Sequence, residues 1–147
     1  MSTYPSGLGA INTLLQYGDG LSPETWTTII NVGDIAGMDL KMAEVKTTSH
    51  STGTPWDTKV PTVGDPGTIS CPIFYIPYSA SHSFLLNDMA NRTIRPWRML
   101  WALSGGVFWA CQGFITSMKG EAKVNDVEKA TLIITLTGDP TLPTTGV

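Results

Sequence analysis

Charge is what this chain has least of. Asp, Glu, Lys and Arg make up 14% of its 147 residues, against roughly 25% in an average soluble chain. A lone soluble domain wants more, so part of the exterior is expected to meet protein rather than water. Positive charge is not in excess: nine Lys and Arg against twelve Asp and Glu leave −3, which argues against a nucleic-acid binder. Cysteine and histidine are scarce, at two each, and the two histidines are far apart, which excludes a zinc signature. Cys71 and Cys111 each fall inside an apolar, strand-like run. They read as buried free thiols in a chain that folds in a reducing compartment. The opening MSTYPSGLGAIN has no basic stretch followed by an apolar core, so no secretory signal is expected.

Long helical periodicity is also missing. Met99 to Met118 is free of charge and long enough to span a bilayer. Ser104-Gly105-Gly106 interrupts it, however, and its aromatics recur at every second residue. It reads as a β-hairpin and not as a membrane span.

What is present is β-branched alternation. ETWTTIINV from Glu24, the run from Met38 to Thr48, TISCPIFYIP, the runs flanking Ser104–Gly106, and ATLIITLTG read as strands. Asp139-Pro140 is expected to end the last of them. Pro72 demotes its strand to an edge, a bulge or a broken strand. SASHSFLLNDMAN is the one convincing helix, with Ser79 as N-cap and Leu85, Leu86 and Met89 on the packing face, one turn after His82. The expected fold is mainly β: an antiparallel β-sandwich or partly closed barrel with one flanking α-helix. Residues 1–22 read as an N-terminal arm that docks through Ile11, Leu14 and Leu15. Residues 23–142 form the domain, and 143–147 a flexible tail.

The most informative stretch is TSHSTGTPWDTKVPTVGDPGTIS. It joins two β-type runs without a helical period, and a long structureless connection in a compact domain usually means function or disorder. Within the loop at 47–67, Trp56 sits among prolines and glycines. An apolar anchor on a pliable loop points to docking rather than chemistry, with His50, Pro55, Trp56, Asp57 and Lys59 as the expected contact residues.

Nothing assembles a catalytic constellation. His50 and His82 are the only imidazole bases, neither lies in a recognisable motif, and both read as packing or hydrogen-bonding residues. Aspartates beside Gly and Pro read as turn residues. Arg92, Arg95 and Arg98, with Trp97 between them, form the one basic cluster. A single-strand binding patch is conceivable there, but strand-edge solubility or subunit salt bridges are favoured. Five tryptophans leave room for a monomeric β-sandwich binding a small ligand or glycan, and a small hydrolase using His82 or His50 is a further alternative.

In their order, ETWTTIINVGDIAG, TTSHSTGTPW, VPTVGDPGTIS, SASHSFLLNDMAN, GFITSMKG and ATLIITLTGDPTL resemble the major tail tube proteins of long, non-contractile-tailed bacteriophages over Glu24 to Leu142. Pro72 and residues 1–22 depart from the pattern. The resemblance implies a structural virion protein without enzymatic activity or cofactor, assembled in the host cytoplasm. It implies six copies per ring and rings stacked into a tube, with DNA passing through the lumen unbound. Tail tip or initiator, tape-measure and tail terminator proteins are the implied partners, and no membrane insertion is implied.

Overall fold

The computed structural model describes residues 13–20, 24–47, 53, 56–101 and 107–142. Eight strands and one helix follow in order: β1 Leu14–Gly18, β2 Trp26–Thr28, β3 Lys41–Lys46, β4 Lys59–Asp65, β5 Thr68–Phe74, α1 Ala80–Asn91, β6 Arg95–Leu100, β7 Phe108–Glu121 and β8 Lys129–Thr141. Six of the strands form one sheet in the order β2-β1-β6-β7-β8-β5, with every neighbouring pair antiparallel. β3 and β4 form a separate two-stranded antiparallel ribbon. Mainly β structure with one helix and antiparallel sheets is what the alternation predicts. Among the described residues no barrel closes. Instead the chain running on from β2 makes isolated bridges to the far edge, Val32 to Ile73 and Ala36 to Ser70.

The core lies on one face of the six-stranded sheet. Leu15, Trp97, Cys111, Ile115, Leu132, Ile134, Ile69, Cys71 and Ile73 come from the strands, Leu85 from the helix, and Ile29 and Met38 from the segment after β2. The strands alternate as period-2 packing requires: β8 reads half-buried, buried through most of its length. Pro72 stands in β5 at the sheet edge, as its missing N–H demands. On that edge Ser70 N and Phe74 N donate to the 31–36 segment, while Pro72 contributes only its carbonyl, to Gly33 N at 2.8 Å. The apolar run from Met99 to Met118 is the β6–β7 hairpin pairing, and among the described residues no helix is long and apolar enough to cross a membrane.

Several expectations change. Residues 14–18, placed in a docking arm, form β1 between β2 and β6, with Leu15 fully buried. The patch docks, but into the domain's own core; Ile11 lies outside the described residues. The strand expected over 24–32 shortens to β2, because Asn31 takes left-handed backbone at φ 58 and turns the chain toward β5. The long connection is shorter than it reads, since 59–65 pairs with β3. Pro61 and Gly64 look like breakers, yet in a two-stranded ribbon each strand has an open edge where Pro is tolerated. The last strand runs on to Thr141, through a register irregularity around Gly138, Asp139 and Pro140.

The helix begins where expected, with Ser79 extended at the N-cap, although its side chain makes no capping bond. Its buried face is His82, Leu85 and Asp88. Leu86 and Met89, expected in the packing, point outward and are exposed.

Candidate assembly surfaces

The β3–β4 ribbon is exposed at every position of both strands. Two-stranded ribbons are marginal in water unless a further strand or a covering layer supports them. Here the support within the chain is a ladder of surface ion pairs, Lys41–Asp39 at 3.1 Å, Lys46–Asp57 at 3.2 Å and Lys59–Glu44 at 3.4 Å. Each such pair contributes about 0–1 kcal/mol. Thr47 N donates to Thr58 O at 2.7 Å and extends the pairing toward the tip. Apolar side chains stay in water along the ribbon: Met42, Val45, Val60 and Val63, with Trp56 79% exposed beyond the paired strands. Of the residues expected to make loop contacts, Trp56 is displayed, and Asp57 and Lys59 are engaged in the ribbon's own ion pairs. His50 and Pro55 lie outside the described residues. At the ribbon's base, Leu40, Met42, Val63, Pro66, Pro140 and Leu142 line a groove of about 560 Å³.

The basic cluster dissolves on inspection. Arg95 and Arg98 are three apart in a strand and so face opposite sides of the sheet. Arg95 points to the core side. Its Nη2 donates to Asp88 Oδ1 at 2.8 Å, its Nε is in ion-pair contact with Asp88 Oδ2, and its Nη1 donates to Gly18 O at 3.1 Å. The guanidinium also lies over Phe84, 4.5 Å from the ring centroid, and Phe84 stacks on Tyr17. Arg98, on the other face, lies between Trp26 and Phe108, at 4.4 and 5.1 Å from their centroids. Its Nε donates to Gln16 Oε1 at 2.6 Å. Burial lowers the Arg98 pKa from its ordinary value. Neither arginine is disposed as a solvent-facing phosphate clamp.

The chemistry-bearing residues are likewise engaged in packing. His82 is fully buried. Its Nδ1 accepts from Ile76 N at 3.0 Å, which leaves Nε2 as the donor to Ile30 O at 3.1 Å, so a neutral ring satisfies both contacts. It also stacks on Tyr75. Among the described residues no group of three or more His, Cys, Asp or Glu could hold a metal ion. The tryptophans do not form a sugar-binding platform: Trp97 is in the core with its indole N–H on Gly113 O, Trp26 lies against Arg98, and Trp101 meets Trp109 edge to face.

Cys71 and Cys111 are free and buried. Burial pushes the Cys71 thiol up to about 12. Burial also raises that of Cys111, opposed in part by backbone hydrogen bonding at Thr137 and Gln112; its Sγ lies 3.3 Å from Thr137 O. Unfolded thiols ionise near about 8.5. As pH rises through that value the unfolded state therefore loses its thiol protons first, and stability declines above it. Neither cysteine should react with a water-soluble disulfide reagent at pH 8 until the subunit unfolds. Labelling of either in the folded protein would contradict the burial.

No protein-family model matches the sequence, and no curated protein does. Solved structures match the fold. A chain from the tail of an empty GTA particle, refined with C6 symmetry, is similar at a TM-score of 0.75 and 13% identity, over 92% of this chain and 98% of that one. A chain from an extracellular contractile injection system, the PVC sheath/tube terminator in the extended state, gives 0.67 and 14%, over 94% and 96%. A chain from the tube-terminating cap of the anti-feeding prophage gives 0.66 and 15%, over 92% and 89%. The likeness is one of fold, and it spans contractile systems as well as gene transfer agents.

Proposed function

We propose that this chain is a structural subunit of a phage-like tail tube, with no catalytic role. In this reading it acts in a virion tail, in rings of six stacked around a lumen through which DNA passes. The observation that carries the reading is the β3–β4 ribbon, exposed along both strands and studded with valines, with a tryptophan beyond its paired strands, on a fold shared with tail components along nearly their whole length. A ribbon of this kind has a physical reason to be covered by another copy. Low overall charge points the same way. The partners are further copies of this chain and, at the ends of the tube, tail components that start and terminate it.

The sheet face turned away from the helix suits a conduit wall. Gln112 is paired there with Thr137, and the Thr135 hydroxyl donates to that of Thr116 at the border of the face. Its polar groups are hydroxyls and amides, set among Phe114 and Ile133, and Arg98 is held there between aromatic rings. Duplex DNA carries one negative charge per about 1.7 Å of axis. A basic wall would hold it through many phosphates at once and stall its passage. A neutral wall leaves it hydrated and mobile.

Sedimentation velocity over a range of concentrations tests the reading. The protein should pass from subunit to large assemblies as concentration rises. Those assemblies should not retain duplex DNA at physiological salt. A strict monomer contradicts the assembly, and submicromolar, salt-sensitive DNA binding contradicts the neutral conduit.

A further inference from the structure

Arg92 sits where glycine is expected. It closes α1 in left-handed backbone, φ 55 and ψ 40, with its N–H on Met89 O at 3.3 Å and Thr93 N on Asp88 O at 3.1 Å. Glycine or asparagine meets that geometry with less strain. Arginine there therefore calls for a use of its side chain. Among the described residues no carboxylate pairs with it. It borders an open groove of about 360 Å³ whose apolar walls are Met89, Ile94, Phe114 and Ile115, with Met89 and Ile94 exposed to solvent. A cation beside an apolar slot has the composition of an interface anchor, where arginine is enriched and a desolvated rim strengthens its pairing.

The complementary surface is on the same molecule but elsewhere. The turn between β7 and β8 carries Val124, 99% exposed, and Val127, with Asp126 and Glu128 among them. Asp126 is used within the turn, accepting from Val127 N at 2.8 Å and Lys129 Nζ at 3.0 Å. The exposed Glu128 side chain is in no ion pair among the described residues. Thr116 in the groove and Glu121 at the start of the turn are both on β7, separated by roughly 16 Å of extended strand at about 3.3 Å per residue. The turn of one chain thus cannot fold back into its own groove.

We propose that the β7–β8 turn of one copy docks in the α1–β7 groove of the next, with Val124 and Val127 against Met89, Ile94 and Phe114, and Glu128 paired with Arg92. Two different surfaces meet, so the contact is heterologous and propagates to a ring or a filament rather than a closed two-fold dimer. The inference rests on the assembly reading above and names one of its contacts.

Charge exchange tests it, because all the residues changed are exposed and their substitution leaves the core intact. Sedimentation velocity would compare the wild type with Arg92→Glu, Glu128→Arg and the double variant. Each single change should weaken self-association about tenfold or more, and the double variant should recover most of it. Arg92→Gly gives an independent readout of opposite sign. Relief of left-handed strain should raise the melting temperature while association weakens. Singles that assemble like wild type, a double variant as weak as its parents, or Arg92→Gly with undiminished assembly would each overturn the contact while leaving the tube reading standing. A wild type that stays monomeric at every concentration would overturn both.

Discussion

Replacing Arg95 by Met should destabilise the folded subunit by about 3–5 kcal/mol, because it strands a buried carboxylate. The side chains of Arg95 and Asp88 are 14% and 7% exposed, and together they tie the end of α1 to β6. Arg95 also donates to Gly18 O, and so ties β1 to the same point. With Arg95 gone, the Asp88 carboxyl is left without its partner in a site that water barely reaches. With Asp88→Ala, the guanidinium keeps only the Gly18 carbonyl and the faces of Phe84 and Tyr17. Domains are stable by about 5–15 kcal/mol in total, so either change removes a large share. For a chain of this size the melting temperature should fall by about 10 °C or more. An Arg95→Met, Asp88→Leu double variant should lose much less, since apolar groups of similar volume can replace a buried ion pair at little net cost. Urea unfolding with a constant slope is the measurement. Single-variant losses under about 1 kcal/mol would mean that the pair is hydrated in solution and the helix is held by apolar contacts alone.

Trp56→Ala should do the opposite, leaving the subunit intact and removing the assembly. Exposed substitutions away from special features move stability by about 0.5 kcal/mol or less, and Trp56 is 79% exposed beyond the paired strands of the ribbon. At an interface a tryptophan anchor is worth about 2 kcal/mol or more, which is roughly a thirtyfold loss per contact. That loss is repeated at every copy of a symmetric assembly. Urea midpoint and sedimentation on the same preparation separate the two effects. A variant that unfolds would place Trp56 in the core, and a variant that assembles normally would remove the ribbon tip from the interface.

The strands were legible where alternation ran long. Most of β7 and β8 could be read from their alternation, although β8 runs on past Asp139-Pro140, and Pro72 narrowed its strand to an edge, a bulge or a broken strand. His82 as a packing residue was legible too, since nothing around it made a catalytic motif. β1 was not, because five residues among glycines and serines carry too little pattern to outweigh their setting. β4 hid behind Pro61 and Gly64, which are tolerated only because the ribbon leaves its edges open. The helix face was misread for a different reason. Leu86 and Met89 are apolar and exposed, whereas Asp88 is charged and buried, and a hydrophobicity pattern cannot show a buried acid whose partner lies seven residues on, past the helix end. The opposite fates of Arg95 and Arg98 were available in principle, since residues three apart in a strand always face opposite ways. Arg92 carried no signal in the sequence, because its left-handed backbone exists only once the helix end is placed.

Electron microscopy of the purified, concentrated protein tests the central claim most directly. The account predicts rings and stacked tubes with six-fold symmetry and an open central channel, with the β3–β4 ribbon of each copy ordered against a neighbour. Dispersed single subunits at every concentration, with or without tail components able to start a tube, would contradict it.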